Sequence, residues 1–266
     1  NLNVAGFSLT QGSLAGSGLV TNSTAGNATL TLGGNNTSST FSGSLLAGTG
    51  TISLVKSGTG TFTLSGTNNY AGTTLVTNGA LALNGTNSGT GVITVATNST
   101  LLGTGKAAGS VTVNSGGTLS PGADSATVGT LTVGSFTLNA GANLNILLGG
   151  SSSDLLIQSG TGTSSRGGNL VFSTNANLTS GYYTFMTNSS TGGFTGNFAA
   201  TNSLPSGYVV ITNATTSALQ QLAVLSSIAG TVSGTNAIIT GGSAAFTVGV
   251  SNSAFSGGQS LVFTGT

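Results

Sequence analysis

The sequence predicts an all-β chain: a single-stranded parallel β-helix, or β-solenoid, with a small immunoglobulin-like or partial β-sandwich element at its C-terminal end. Three observations predict it. Gly, Thr, Ser and Asn fill the positions between apolar residues, with 46 Gly in 266 residues. Charged residues, which a helical surface needs for its exposed side, make up only 2% of the chain. A short unit of the form apolar, Thr, apolar, bend, apolar recurs at intervals suited to one solenoid turn.

Composition supports each part of that prediction. Hydrophobic residues account for 37% and mean hydropathy is +0.34, enough to bury a continuous core. Thr, Val, Ile and Phe suit pleated strands, and Gly and Asn suit the tight bends between them. The net charge is +1, carried by Lys56, Lys106 and Arg166 against Asp124 and Asp154. No basic face exists to track a phosphate backbone or an anionic bilayer, so nucleic acid is excluded as an expected partner. A surface this poor in charge tolerates contact with copies of itself, which makes self-association the leading expectation. Cysteine is absent, so no disulfide or thiolate metal site is expected. No apolar run reaches the roughly 20 residues of a membrane span, so no membrane insertion is expected. The opening residues NLNVAGFSLT lack the pattern of a signal peptide, and the chain reads as a mature protein or an excised part of one.

The repeats can be aligned by hand. Gly91 to Gly103 (GVITVATNSTLLG) lies on Gly109 to Pro121 (GSVTVNSGGTLSP) without a gap, so that Ile93 falls on Val111, Val95 on Val113 and Leu101 on Leu119. A third copy begins at Phe136 (FTLNAGANL), and a copy one residue shorter reads VTNGAL from Val76 to Leu81. Alternation within each short strand points one set of side chains inward. The predicted core ladder is Ile93, Val95, Leu101, Val111, Val113, Leu119, Phe136, Leu138 and Leu144, with Thr94, Thr112 and Thr137 facing out. Asn114 and Asn139 take matching bend positions, suited to left-handed backbone or to a hydrogen bond between rungs. Turns of 18 to 25 residues, about 4.8 Å apart, would give about ten rungs and a rod about 50 Å long over residues 1–225.

From Gly181 the aromatics cluster as Tyr182, Tyr183, Phe185, Phe194, Phe198 and Tyr208, which predicts capping rungs over residues 181–225. Residues 226–266 then carry three candidate strands, 237–240, 245–250 and 260–263. So few strands leave open edges, and Ala245, Phe246, Val248, Val250, Leu261 and Phe263 are the predicted subunit-contact positions.

One set of segments carries a family resemblance. Lys56 to Thr74 (KSGTGTFTLSGTNNYAGTT), followed by LVTNGALALNG, resembles the passenger-associated transport repeat, also called the autotransporter-associated β-strand repeat. Gly26 to Leu45 (GNATLTLGGNNTSSTFSGSL), Gly109 to Gly122 and the LPSGY stretch extend the resemblance over residues 18–225. It implies a right-handed parallel β-helix displayed outside a Gram-negative-type cell, usually in adhesins and large surface proteins. No series of alternating ten-residue strands that could build a membrane barrel accompanies it. A free polymer subunit without a translocator barrel is therefore expected.

Catalytic chemistry finds few candidates. Histidine, the commonest general acid-base residue, is absent. The only carboxylates are Asp124 and Asp154, and their spacing could bring them within a rung of each other and imitate a glycosidase pair. Both sit in turn-like sequence and read as turn or cap residues. Two Asp cannot form the calcium cluster of a β-helix lyase. Lys56-Ser57 is read as a solvated strand end rather than a nucleophilic pair. Lys106 in GTGKAAG misses a phosphate loop because Ala107 stands in place of Ser or Thr. Arg166 reads as an exposed loop charge. Sequons at Asn22, Asn36, Asn98, Asn177 and Asn213 arise by chance in so Asn-, Ser- and Thr-rich a chain. No catalytic, cofactor-binding or metal-ligating residue is predicted. The expected function is a non-enzymatic, secreted bacterial structural protein, the self-assembling subunit of a surface filament, fibre or sheath. The alternative is an adhesin that binds glycans or surfaces, and a polysaccharide-acting enzyme built on the two Asp is a distant third.

Overall fold

A computed structural model describes residues 1–199 apart from 125, 180 and 190, together with 210–212 and 219–224. The described residues form short strands joined by bends, with no helix. Strand residues alternate in burial, as in Asn27–Leu32 and Thr51–Lys56, because successive side chains point to opposite sides of a pleated strand. Each strand ends within a few residues at a Gly- or Asn-containing bend, so the chain coils instead of forming wide hairpins.

Coiling stacks the strands into three parallel faces. The first holds nine strands, running from Leu9–Gln11 through Ile93–Val95, Val111–Val113 and Phe136–Leu138 to Phe194–Thr195. The second runs from Ser39–Phe41 through Ser99–Gly103 and Thr118–Pro121 to Asn143–Gly149 and Asn169–Thr174. The third runs from Thr67–Asn68 through Lys106–Ala107 and Leu155–Gln158 to Gly181–Asn188. A three-stranded sheet, Leu2–Asn3, Leu19–Asn22 and Ser44–Ala47, leads into the third face through the Leu46–Asn69 bridge. The chain is therefore an all-β parallel solenoid.

In-register pairing places like residues over like. Ile93 pairs with Val111 and Val111 with Phe136, while Leu101 pairs with Leu119 and Leu119 with Leu144. Val95, Val113 and Leu138 form a third column, and all nine of these side chains are buried. Truncating one such leucine to Ala leaves a cavity between two rungs and costs about 2–5 kcal/mol.

The bends absorb differences in rung length. Val76 pairs with Val95 and Leu81 with Leu101, although one residue fewer joins Val76 to Leu81 than joins Val95 to Leu101. Gly79 closes that shorter bend with φ 63°, a conformation that costs a residue without Cβ little. At the longer bends the left-handed residue is Asn98, Gly116 or Gly141, and not Asn114 or Asn139. Asn139 instead donates Nδ2–H to Asn114 Oδ1 at 3.1 Å, linking two rungs. Rungs lengthen later in the chain: Thr137 pairs with Ser165, and the stretch between them exceeds the longest turn expected from the sequence. The extra residues form a hairpin in which Ser152–Ser153 folds back antiparallel on Asn143–Gly149.

At the far end the core widens to hold Tyr183, Phe185, Met186 and Phe194. Phe185 meets Phe172 edge-on at 5.5 Å, and Phe194 lies 5.9 Å from Phe136. Leu219–Val224 joins the third face antiparallel to Gly181–Asn188, and Val210–Thr212 follows it. This switch of direction ends the parallel run of the third face among the described residues. Tyr208, the element expected over 226–266 and the contact positions Ala245, Phe246, Val248, Val250, Leu261 and Phe263 lie outside the described residues.

Candidate functional site

Charge in this chain resides on five side chains, two of them carboxylates, and most are turned inward. Lys56 ends the strand Thr51–Lys56 in phase with Ile52 and Leu54 and is fully buried. This corrects the expectation of a solvated strand end: strand phase outweighs the usual preference of lysine for water. Its Nζ donates to the carbonyls of Ser57 at 2.6 Å, Gly58 at 2.8 Å and Asn78 at 3.2 Å, so each ammonium proton has an acceptor. Burial lowers its pKa from the ordinary lysine value. Ser57 Oγ donates to Leu32 O at 3.0 Å, which removes the hydroxyl from any pairing with Lys56.

Arg166 is a second correction. The expected loop charge lies in the strand Ser164–Arg166, is buried, and pairs in register with Leu138. Its guanidinium carbon stands 5.9 Å from the centre of the Phe194 ring, a cation–π contact that partly offsets desolvation. Burial lowers its pKa. Lys106 is exposed in the third-face strand Lys106–Ala107, so GTGKAAG is a strand corner and no helix follows it to cradle a phosphate.

The two carboxylates come to one corner, between the second and third faces. Asp124 is exposed in the insertion that lengthens the rung after Pro121, and its Oδ1 accepts the N–H groups of Ala126 at 2.8 Å and Thr127 at 2.7 Å. Those bonds hold its pKa below the usual carboxylate value. Asp154 follows the next insertion and is buried, accepting Gly129 N–H at 2.8 Å on Oδ1 and Leu147 N–H at 2.9 Å on Oδ2. It is thus a buried brace between two rungs as well as a cap, which the turn reading did not anticipate. Desolvation outweighs the two N–H bonds, and with a contribution from the charge of Asp124 its pKa is pushed up to about 6. A third excursion seals the corner: Asn175 Nδ2 donates to Ala126 O, and Tyr183 OH lies within hydrogen-bond reach of the carbonyls of Gly150 and Thr179, its one proton shared between them. Every Asp oxygen named here accepts a backbone N–H, an arrangement that fixes loops. Among the described residues, no three Asp, Glu, His or Cys side chains gather at a metal-binding distance.

Buried asparagines were missed at the sequence level. Asn68 and Asn87 stack in register on the third face. Asn68 Oδ1 accepts Leu45 N–H at 2.9 Å while its Nδ2 donates to Gly66 O at 3.0 Å. Asn22 does the same work nearer the start, receiving Gly6 N–H and donating to Gly26 O and Thr51 O. The available signal was the repeated Gly-Thr-Asn at Gly66–Asn68 and Gly85–Asn87, one rung apart. Outside, Thr94, Thr112, Thr137 and Ser165 pair in one column, giving the first face a row of hydroxyls.

A three-faced parallel solenoid with three of its five charges folded inside and hydroxyls along one face defines a class of elongated repeat protein held together by cohesion between rungs. Residues 54–83 match the family model of the passenger-associated-transport-repeat. That segment runs a full turn, from Leu54 to its partner Thr74 on the next rung, and on through Leu83. It contains Lys56 and Tyr70, both buried, and is similar to a repeat of autotransporter passengers, which are secreted or cell-surface proteins. A search of curated proteins found no match.

Proposed function

We propose that this protein is a non-enzymatic, extracellular structural subunit that associates with copies of itself into a filament, fibre or sheath. The observation that carries the reading is the fate of the charges. Lys56, Arg166 and Asp154 are buried, which leaves Lys106 and Asp124 as the exposed ones among the five. The sides therefore lack the repulsion that keeps soluble proteins apart. The first face adds an apolar centre, with Leu75 and Val92 exposed on successive rungs near Val55. Copies meeting there bury that patch, and solenoid ends or a donated strand join copies head to tail. The carboxylates serve as loop braces in this reading, not as acid and base.

Electron microscopy and sedimentation of the purified chain at neutral pH test it, with elongated assemblies expected. Dispersed monomers at every concentration would count against the proposal. Replacing Leu75 and Val92 by Lys is expected to narrow or dissolve the assemblies. The excursions at the corner of Asp124 and Asp154 favour a second reading, an adhesin whose loops bind glycans. Binding on a glycan array without self-association would favour that reading over the first.

A further inference from the structure

The bend that carries Lys56's third hydrogen bond also contains one of the two Asn-Gly pairs in the sequence, Asn78-Gly79 and Asn84-Gly85. The two pairs are held differently. Gly79 donates its N–H to Oδ1 of Asn78 itself at 2.8 Å, so the backbone nitrogen rests against the side-chain amide carbonyl. Asn78 is exposed, and its own backbone carbonyl accepts the buried Lys56 ammonium at 3.2 Å. A cation on that carbonyl withdraws electrons from the Asn78-Gly79 peptide and makes the Gly79 N–H more acidic. Gly85, by contrast, donates its N–H to Leu64 O at 2.9 Å in the inter-rung ladder, and Asn84 Oδ1 is occupied by Thr104 N–H at 3.2 Å.

We infer that Asn78 is a self-modification site, converted through a cyclic imide to aspartate and isoaspartate, with Lys56 as the positioning residue that promotes it. Solvent takes the Gly79 amide proton, the nitrogen attacks Cγ of Asn78, the N–Cγ bond forms, and the Cγ–Nδ2 bond breaks with loss of ammonia. Water then opens the imide. Attack at Cγ restores the normal backbone with an aspartate side chain. Attack at the backbone carbonyl leaves the chain running through Cγ as isoaspartate. Either product puts a carboxylate on a rod whose sides carry almost no charge, so the modification changes with age the surface on which contact between copies depends.

Incubating the native protein in mildly alkaline buffer and sequencing its peptides by mass spectrometry tests the inference. Asn78 and Asn84 fall in the same tryptic peptide, between Lys56 and Lys106, so one serves as reference for the other. Conversion at Asn78 is expected to exceed that at Asn84 by about tenfold or more in the folded chain, a difference that reflects barrier heights. In urea, where both pairs lose their surroundings, the two should convert at similar rates. Equal conversion in the folded chain, or slower conversion of Asn78 folded than unfolded, would overturn the proposal. Lys56→Met should slow Asn78 and leave Asn84 unchanged; if that variant does not fold, the comparison of folded with unfolded wild type decides alone.

Discussion

Replacing Asp154 by Asn separates two opposed effects at the corner of the solenoid. Ionised Asp154 accepts two N–H groups, from Gly129 and Leu147, but burial raises its pKa from 3.8 to about 6. The folded carboxyl therefore binds its proton more tightly than the unfolded one. By linkage, the contribution of this group to stability is fully present below about pH 4 and is lost as pH rises through about 6. A shift of this size corresponds to about 3 kcal/mol, and water near the corner reduces it to about 1–2 kcal/mol. Urea midpoints measured from pH 4 to 7 should fall across that window in the wild type. The amide that replaces the carboxyl in Asp154→Asn cannot titrate, so the fall should vanish in the variant. Near pH 4 the variant should be about 1 kcal/mol less stable than wild type, because its NH2 group faces the Leu147 N–H, and the gap should close as the wild type loses stability toward pH 7. An unchanged slope in Asp154→Asn would refute the assignment of the pH dependence to this brace.

Three further outcomes are expected. Tyr70 is buried, accepts Thr74 Oγ1–H at 2.9 Å, and has its pKa pushed up to about 12; stability should drop by about 2–3 kcal/mol as pH rises from 10 to 12, and Tyr70→Phe should abolish that alkaline loss in thermal melts. Gly85→Ala places a Cβ 2.0 Å from the carbonyl oxygen of Gly66 on the rung before, so backbone must move and unfolding midpoints should report a loss of about 2–3 kcal/mol or more. Lys56→Met keeps the volume but strands three carbonyls, and chemical denaturation should register a loss of about 3 kcal/mol, the removed charge-assisted bonds being partly offset by relief of ammonium desolvation.

The solenoid was legible because its signal is local and repeated. Ile93, Val111 and Phe136 can be aligned from their own neighbours, and in-register pairing follows once short strands alternate and bend. The placement of charges was less legible, because the usual preference of lysine and arginine for water opposes the strand phase that buries them here. In Thr51–Lys56 the alternation already sets Lys56 beside Ile52 and Leu54, so the burial could have been read from the sequence. Asp154 was harder. Its separation from Asp124 along the chain suggested proximity, but which N–H groups it would brace depended on how two insertions of different length fold over one corner. Such contacts have no period, and a repeat analysis has nothing to align.

Four of the polar groups inside the rod, Lys56, Asp154, Asn22 and Asn68, follow one physical rule. Strands pair their own backbone groups, but bends leave carbonyls and N–H groups without a ladder partner, and burying these unpaired costs about 1–3 kcal/mol each. Lys56 supplies three donors to one bend, Asp154 supplies acceptors to two rungs, and Asn22 and Asn68 supply both. Each therefore sits at a bend, where its cost of burial is offset by groups that would otherwise be stranded. With two of its five charges used in this way and Arg166 buried beside Phe194, little remains for the outer surface, which is left to Thr, Ser and Asn. The neutrality on which the proposed self-association rests is thus a consequence of how the bends are satisfied: moving Lys56 or Asp154 outward would both loosen a bend and charge a side.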